Sequence, residues 1–207
     1  MSWIVPARHH TPFRTALAVM VFGASAALGP SALRGPASPR CRVRGPHDWL
    51  ASRASPLDSA RLIVGADTAL LCYSRPSARG RSVYDTLATF GKPWRTGANE
   101  PTVLELTGSA TVAGVLLPVG RYAILTVPQP MSWLILFHTF TASDSVADDP
   151  ARVFQTLREV GRGTIPAEAV APAIETFTIR PVSDGTGHAF LLEWGSFRIR
   201  MPVRFGD

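Results

Sequence analysis

The chain has 207 residues, of which 46% are hydrophobic and 17% charged; that balance excludes an intrinsically disordered protein and suits one domain with appendages. Its 18 prolines and 17 glycines imply many turns and short elements, which favours strands over long helices. The net charge of +6 argues against a nucleic-acid binder once it is located: residues 1–60 carry seven arginines against Asp48 and Asp58, leaving +5, whereas residues 61–207 carry 14 basic against 13 acidic groups, leaving +1.

In chain order, residues 1–28 read as an export signal. Arg8, His9, His10 and Arg14 form a basic start, Ala16 to Leu28 is uncharged and apolar, and Ala24-Ser25-Ala26 offers the small residues of a cleavage site. The apolar run is shorter than the ~20 residues of a membrane-spanning helix, so an uncleaved N-terminal anchor is the secondary expectation. Residues 29–60 read as a disordered linker, interrupted by Pro30, Pro36, Pro39, Pro46 and Pro56. The two cysteines, Cys41 and Cys72, could pair in an exported protein. Cys41 falls in a Pro/Arg-rich tract and Cys72 in an expected strand, so their pairing stays open.

Residues 61–207 read as one all-β domain. Thr102 to Thr107 alternates between two faces, and Tyr122 to Val127 follows a turn at Pro118 and Gly120. Trp133 to His138 is apolar on both faces, which predicts a central strand. Asp149-Pro150-Ala151-Arg152 could cap a helix through Val153, Phe154, Leu157 and Val160 that stops at Gly161, or the same residues could form an irregular strand. Phe177 to Arg180 and Phe190 to Trp194 alternate again. Last, Phe197, Ile199, Met201, Val203 and Phe205 share one face while Arg198, Arg200 and Arg204 share the other, with Pro202 suggesting an edge or a bulge. The arginine face reads first as solvated, second as an anion-binding stripe. Eight or so strands with regular turn signals predict a β-sandwich or jelly-roll-like domain with at most one short helix.

Polar chemistry concentrates between Tyr73 and Thr102, where Tyr-Ser-Arg-Pro-Ser-Ala-Arg-Gly-Arg is followed by Gly-Lys-Pro-Trp-Arg-Thr-Gly-Ala-Asn-Glu-Pro-Thr. No nucleophile elbow, phosphate loop or dinucleotide loop is present, and no cofactor is implied. His138, His188 and Glu193 lack ligand spacing for a metal, and the run Asp144, Asp148, Asp149 lacks the glycine and oxygen spacing of a calcium loop, so no metal is expected. The candidate ligand-binding residues are Arg81, Trp94, Arg95, Asn99, Glu100 and His138. Arg81 and Arg95 offer guanidinium forks for a carboxylate or phosphate. Trp94 could stack on a sugar ring, and Asn99 could hold a hydroxyl or amide. Glu100 is the one weak catalytic candidate, as acid or base. The same residues also make a ligand-free scaffold: Asn99 in a left-handed turn, Glu100 paired with Arg81 or Arg95, and Trp94 plugging the core.

Tyr73-Ser74-Arg75-Pro76-Ser77, Gly80-Arg81, Gly91-Lys92-Pro93-Trp94-Arg95-Thr96-Gly97-Ala98-Asn99-Glu100, Leu117 to Tyr122 and Trp133 to Phe137 resemble the bacterial domain-of-unknown-function family 2911, from about residue 66 to residue 205. The resemblance implies an exported β-rich domain without an established activity. Pro101 and His138 depart from the family pattern, in which alanine and asparagine are common. The leading expectation is a periplasmic or extracellular, non-catalytic protein that binds a small polar or anionic ligand or a cell-envelope partner. The alternatives are a hydrolase of envelope carbohydrate, which needs a second carboxylate roughly 5–10 Å from Glu100, and a purely structural envelope protein. Nucleic acid is not an expected partner, a membrane enters only through an uncleaved signal, and the sequence does not specify an oligomeric state.

Overall fold

The computed structural model describes residues 52–140 and 157–206, together with Met1 and Cys41. The chain separates into two compact units, Met1–Pro36 and Ala37–Asp207, and every described strand belongs to the second. The export signal, most of the linker, the acidic run from Asp144 and the helix-or-strand segment up to residue 156 lie outside the described residues.

The domain is all-β. Its strands are β1 (Leu57–Val64), β2 (Asp67–Ser74), β3 (Thr102–Leu106), β4 (Ala110–Val112), β5 (Val115–Leu117), β6 (Gly120–Val127), β7 (Ser132–Thr139), β8 (Glu159–Asp184) and β9 (Gly187–Phe205). A single π-helical turn, Val83–Leu87, is the one helical element among the described residues. Strand β1 opens inside the stretch read as linker, because Ala60 and Leu62 alternate into the core. Gly161 lies within β8 and does not terminate a helix.

One antiparallel sheet bends over itself, in the order β1-β2-β3-β6-β7-β8-β9-β4-β5. The long β8–β9 hairpin makes this possible. Residues Glu159 to Pro166 of β8 pair with β7, and the remainder pairs with β9. The β8–β9 register shifts twice, between Ala169 and Ile174 and between Ile174 and Thr178, opposite Gly195. Gly195 takes φ +55°, and a Cβ there would stand 3.1 Å from Val83 and Tyr84. Extra residues on one strand facing a left-handed glycine on the other produce a sharp local bend. Arg198, beyond the bend, reaches back to Glu193 before it, and Arg200 likewise to Asp184.

Folding the sheet over brings aromatic rings from its two halves together. Tyr73 of β2 meets Phe177 of β8 edge-on at 5.5 Å, and its hydroxyl accepts the Ile179 N–H at 2.9 Å. Trp133, Phe137, Phe177, Phe190 and Trp194 are fully buried in one core. β7 lies between β6 and β8, as its two apolar faces imply. On the opposite face of β3 and β6, Val103 and Ala123 form a small second cluster with Phe140. The last strand buries Ile199, Met201 and Val203 while Arg204 is exposed. Pro202 lies between the two ladders of β9, beyond the last β8 pair at Ile199 and before the β4 ladder that starts at Val203, where a proline costs no ladder hydrogen bond. Its carbonyl accepts the Ala113 N–H.

Cys41 and Cys72 are joined in a disulfide with Cα atoms 5.4 Å apart. Cys72 alternates away from the core between Leu71 and Tyr73, on the same face as Val103, its register partner in β3. The residues ahead of β1 are thereby tied covalently to the second strand.

Candidate functional site

The loop between β2 and β3, residues 75–101, carries most of the polar residues singled out in the sequence. It is held at several points. Ser77 bridges to Thr176 of β8, and Trp94 exchanges backbone hydrogen bonds with Thr126 of β6 at 2.7 and 2.8 Å. Arg75 donates to the Phe177 carbonyl and the Thr178 hydroxyl of β8. Loop and sheet therefore fold as one body, not as a mobile flap on a scaffold.

Trp94 is a core residue. It stacks on Trp194 at 5.4 Å, meets Phe177 edge-on at 4.9 Å, and donates its indole N–H to the Gly97 carbonyl. Burying a ring of this size removes ~200 Å² from water, worth about 5 kcal/mol at ~25 cal/mol per Å². Stacking on a bound ring would contribute less, about 1–3 kcal/mol. Asn99 takes the left-handed conformation, φ +57°, and donates its side-chain amide to the Ser55 carbonyl. Arg95 donates to the Asn99 carbonyl at 2.6 Å.

Glu100 is buried, and its partner is neither Arg81 nor Arg95. Arg53, from the stretch read as linker, donates to both carboxylate oxygens at 2.6 and 2.8 Å, and the Ser74 hydroxyl adds a third bond at 3.2 Å. The sequence carries no signal for this pairing, since Arg53 is one of five arginines in the proline-rich tract of residues 29–60. Arg95, Asn99 and Glu100 thus meet at one end of the loop, bonded to one another, to residues 53–55 and to Ser74.

Arg81 stands apart from that group. Its Nε donates to the Ala78 carbonyl at 2.9 Å and its Nη2 to the Ser77 carbonyl at 3.1 Å. This pins the guanidinium on the wall of a cleft of about 330 Å³ lined by Ala78, Arg81, Ser82, Tyr84, Glu175 and Gly195 among others. The cleft lies at the hairpin bend, where residues 173–175 of β8 and Gly195 and Ser196 of β9 line it together with residues 78 and 80–84 of the loop. Tyr84 donates its hydroxyl to the Trp194 carbonyl, and burial holds that phenol far above its ordinary value. Glu175, Tyr84 and Gly195 escaped the sequence reading because a bend in a strand leaves no periodic signature.

His138 lies elsewhere, on β7 opposite Glu159 of β8, and is buried. Burial lowers its pKa, with nearby Glu159 raising it and Arg162 lowering it. The three residues weighed as metal ligands do not converge. Glu193 is held by Arg180 and Arg198, and His188 shares a hydrogen bond with Ser183. Among the described residues no cluster of three or more metal-ligating side chains occurs.

No curated protein and no solved structure matches the chain. The family model described as a protein of unknown function, DUF2911, matches residues 55–203, well over half of the sequence and the whole span from just before β1 into the end of β9. The chain belongs to the DUF2911 family.

Proposed function

We propose that this domain is an exported, non-catalytic binding protein whose site is the cleft at Arg81. The observation that carries the proposal is the setting of Arg81: two backbone carbonyls hold its guanidinium on the wall of a cavity large enough for a small metabolite, and its Nη1 bonds to no other described residue. Such a group is preorganised for an anionic oxygen. The Cys41–Cys72 disulfide favours an oxidising compartment, in keeping with the basic and apolar start of the chain. Glu100 would have to abandon Arg53 and Ser74 before acting as an acid or base, and it does not line this cleft, which weighs against the hydrolase.

A thermal-shift screen of glycans, amino acids and phosphorylated metabolites tests the proposal. A ligand at one hundred times its dissociation constant stabilises the protein by about 2.7 kcal/mol, well within detection. The expected result is a stabilising compound whose effect disappears in Arg81→Ala. Stabilisation that survives Arg81→Ala, or its absence across the three classes, refutes this site.

A further inference from the structure

We infer that the ligand of the cleft is dipolar, carrying a carboxylate for Arg81 and an ammonium group for Glu175, as an amino acid or a short peptide does; this rests on the cleft being a binding site. Arg81 and Glu175 line the same cavity with opposite charge. Two such groups in one small cleft ordinarily form an ion pair, yet these do not. Both are held instead by backbone groups of residues 77–79. Arg81 is anchored by the Ser77 and Ala78 carbonyls, whereas Glu175 accepts the Arg79 N–H on Oε1 at 2.7 Å. Both anchors hang on one short connection, because Ala78 itself donates its N–H to the Glu175 carbonyl at 2.9 Å.

The consequence is a pair of exposed charges, each tethered on one side and each with an edge that bonds to no other described residue: Nη1 on Arg81 and Oε2 on Glu175. A ligand with one charge satisfies one edge and leaves the other to water. A dipolar ligand satisfies both, with charge-assisted hydrogen bonds at each end. The lining also includes Val83, Tyr84, Ala173 and Ile174, apolar surface against which a hydrocarbon side chain can pack, beside Ser82 and Ser196. No aromatic cage or second arginine accompanies Arg81, so a phosphate ester, which calls for more positive charge, fits the cleft less well.

The test uses three probes of the same shape against the full chain: L-phenylalanine, phenylacetate, which lacks the ammonium group, and phenethylamine, which lacks the carboxylate. Binding is followed at millimolar concentrations by backbone-amide shifts of residues 78–84 and 173–175. L-phenylalanine is expected to bind roughly tenfold or more tightly than either analogue, the difference one charge-assisted contact supplies. Glu175→Gln should reduce L-phenylalanine to the affinity of phenylacetate, and Arg81→Gln to that of phenethylamine. If phenylacetate equals L-phenylalanine and Glu175→Gln changes nothing, the dipolar inference fails while the cleft survives as an anion site. If none of the three perturbs these amides, the dipolar inference fails whatever the wider screen returns. If that screen also yields no compound dependent on Arg81, the binding reading falls with it.

Discussion

Thr96, Asn99 and Glu100 show how a polar loop residue can be consumed by structure. Thr96 is buried with φ +58°, and its hydroxyl and carbonyl bond to Ile124, Thr126 and Thr102. Gly97 beside it leaves room where a Cβ would approach the Ser74 carbonyl to 3.0 Å. Glu100 closes the same end of the loop by gripping Arg53, with side-chain exposures of 11% and 5%. Removing one member of a buried pair leaves an uncompensated charge, which costs far more than the pair contributes. Arg53→Ala should therefore lower stability in urea denaturation by about 3 kcal/mol, and adding Glu100→Gln to that variant should restore part of the loss. An Arg53→Ala protein as stable as the parent would show that the pair does not hold the loop.

At the scale of the element, the β8–β9 hairpin determines where a ligand can sit. Its bend is crossed by the ion pair of Glu193 with Arg198 at 2.6 Å, and Glu193 is held in turn by Arg180 at 2.7 Å. Burial alone would raise the pKa of Glu193, but the hydrogen bonds and charges of the two guanidinium groups outweigh it, and the net shift is downward. A carboxylate depressed in the folded state stabilises the fold fully above the unfolded carboxylate pKa, near 4.3, and that contribution is lost as pH falls through the lower folded value. The stability difference between the parent and Glu193→Gln should be constant at neutral pH and shrink progressively in the acid range below about pH 4. A difference that stays flat down to the acid limit would show that Glu193 does not titrate against these arginines. The arginine face of the last strand, which the sequence presents as solvated, thus serves in part as a clamp: Arg198 and Arg200 bond across the bend, and Arg204 stays exposed.

At the scale of the whole molecule, the Cys41–Cys72 disulfide joins residues 31 positions apart and ties the N-terminal approach to the sheet. Closing a loop of that length restricts the unfolded chain by about 3–4 kcal/mol. Reduction, or the Cys41→Ser, Cys72→Ser double substitution, should lower the melting temperature on the order of 10 °C. No shift on reduction would mean that the bond constrains nothing in the unfolded chain that folding would otherwise order.

The linear order of residues was enough to specify strands and family membership. Alternating side chains at Leu104 and Leu106 and at Ile199 through Val203 encode a two-residue period that a pleated strand satisfies, and the unbroken apolar run Trp133 through Phe137 marks a strand covered on both faces. The positive φ of Asn99 was likewise legible, because few residue types tolerate it. Which arginine would meet Glu100, whether Cys41 would reach Cys72, and that Arg81 and Glu175 would share a cleft were settled only in three dimensions. Glu100 and Arg53 are 47 positions apart, and Arg79 reaches the Glu175 carboxylate across 96. The second meeting depends on a strand bending opposite Gly195 and a sheet closing over its own core. A local pattern can encode the conformation of a segment, but a contact between distant segments exists only once the packing of everything between them has chosen one arrangement.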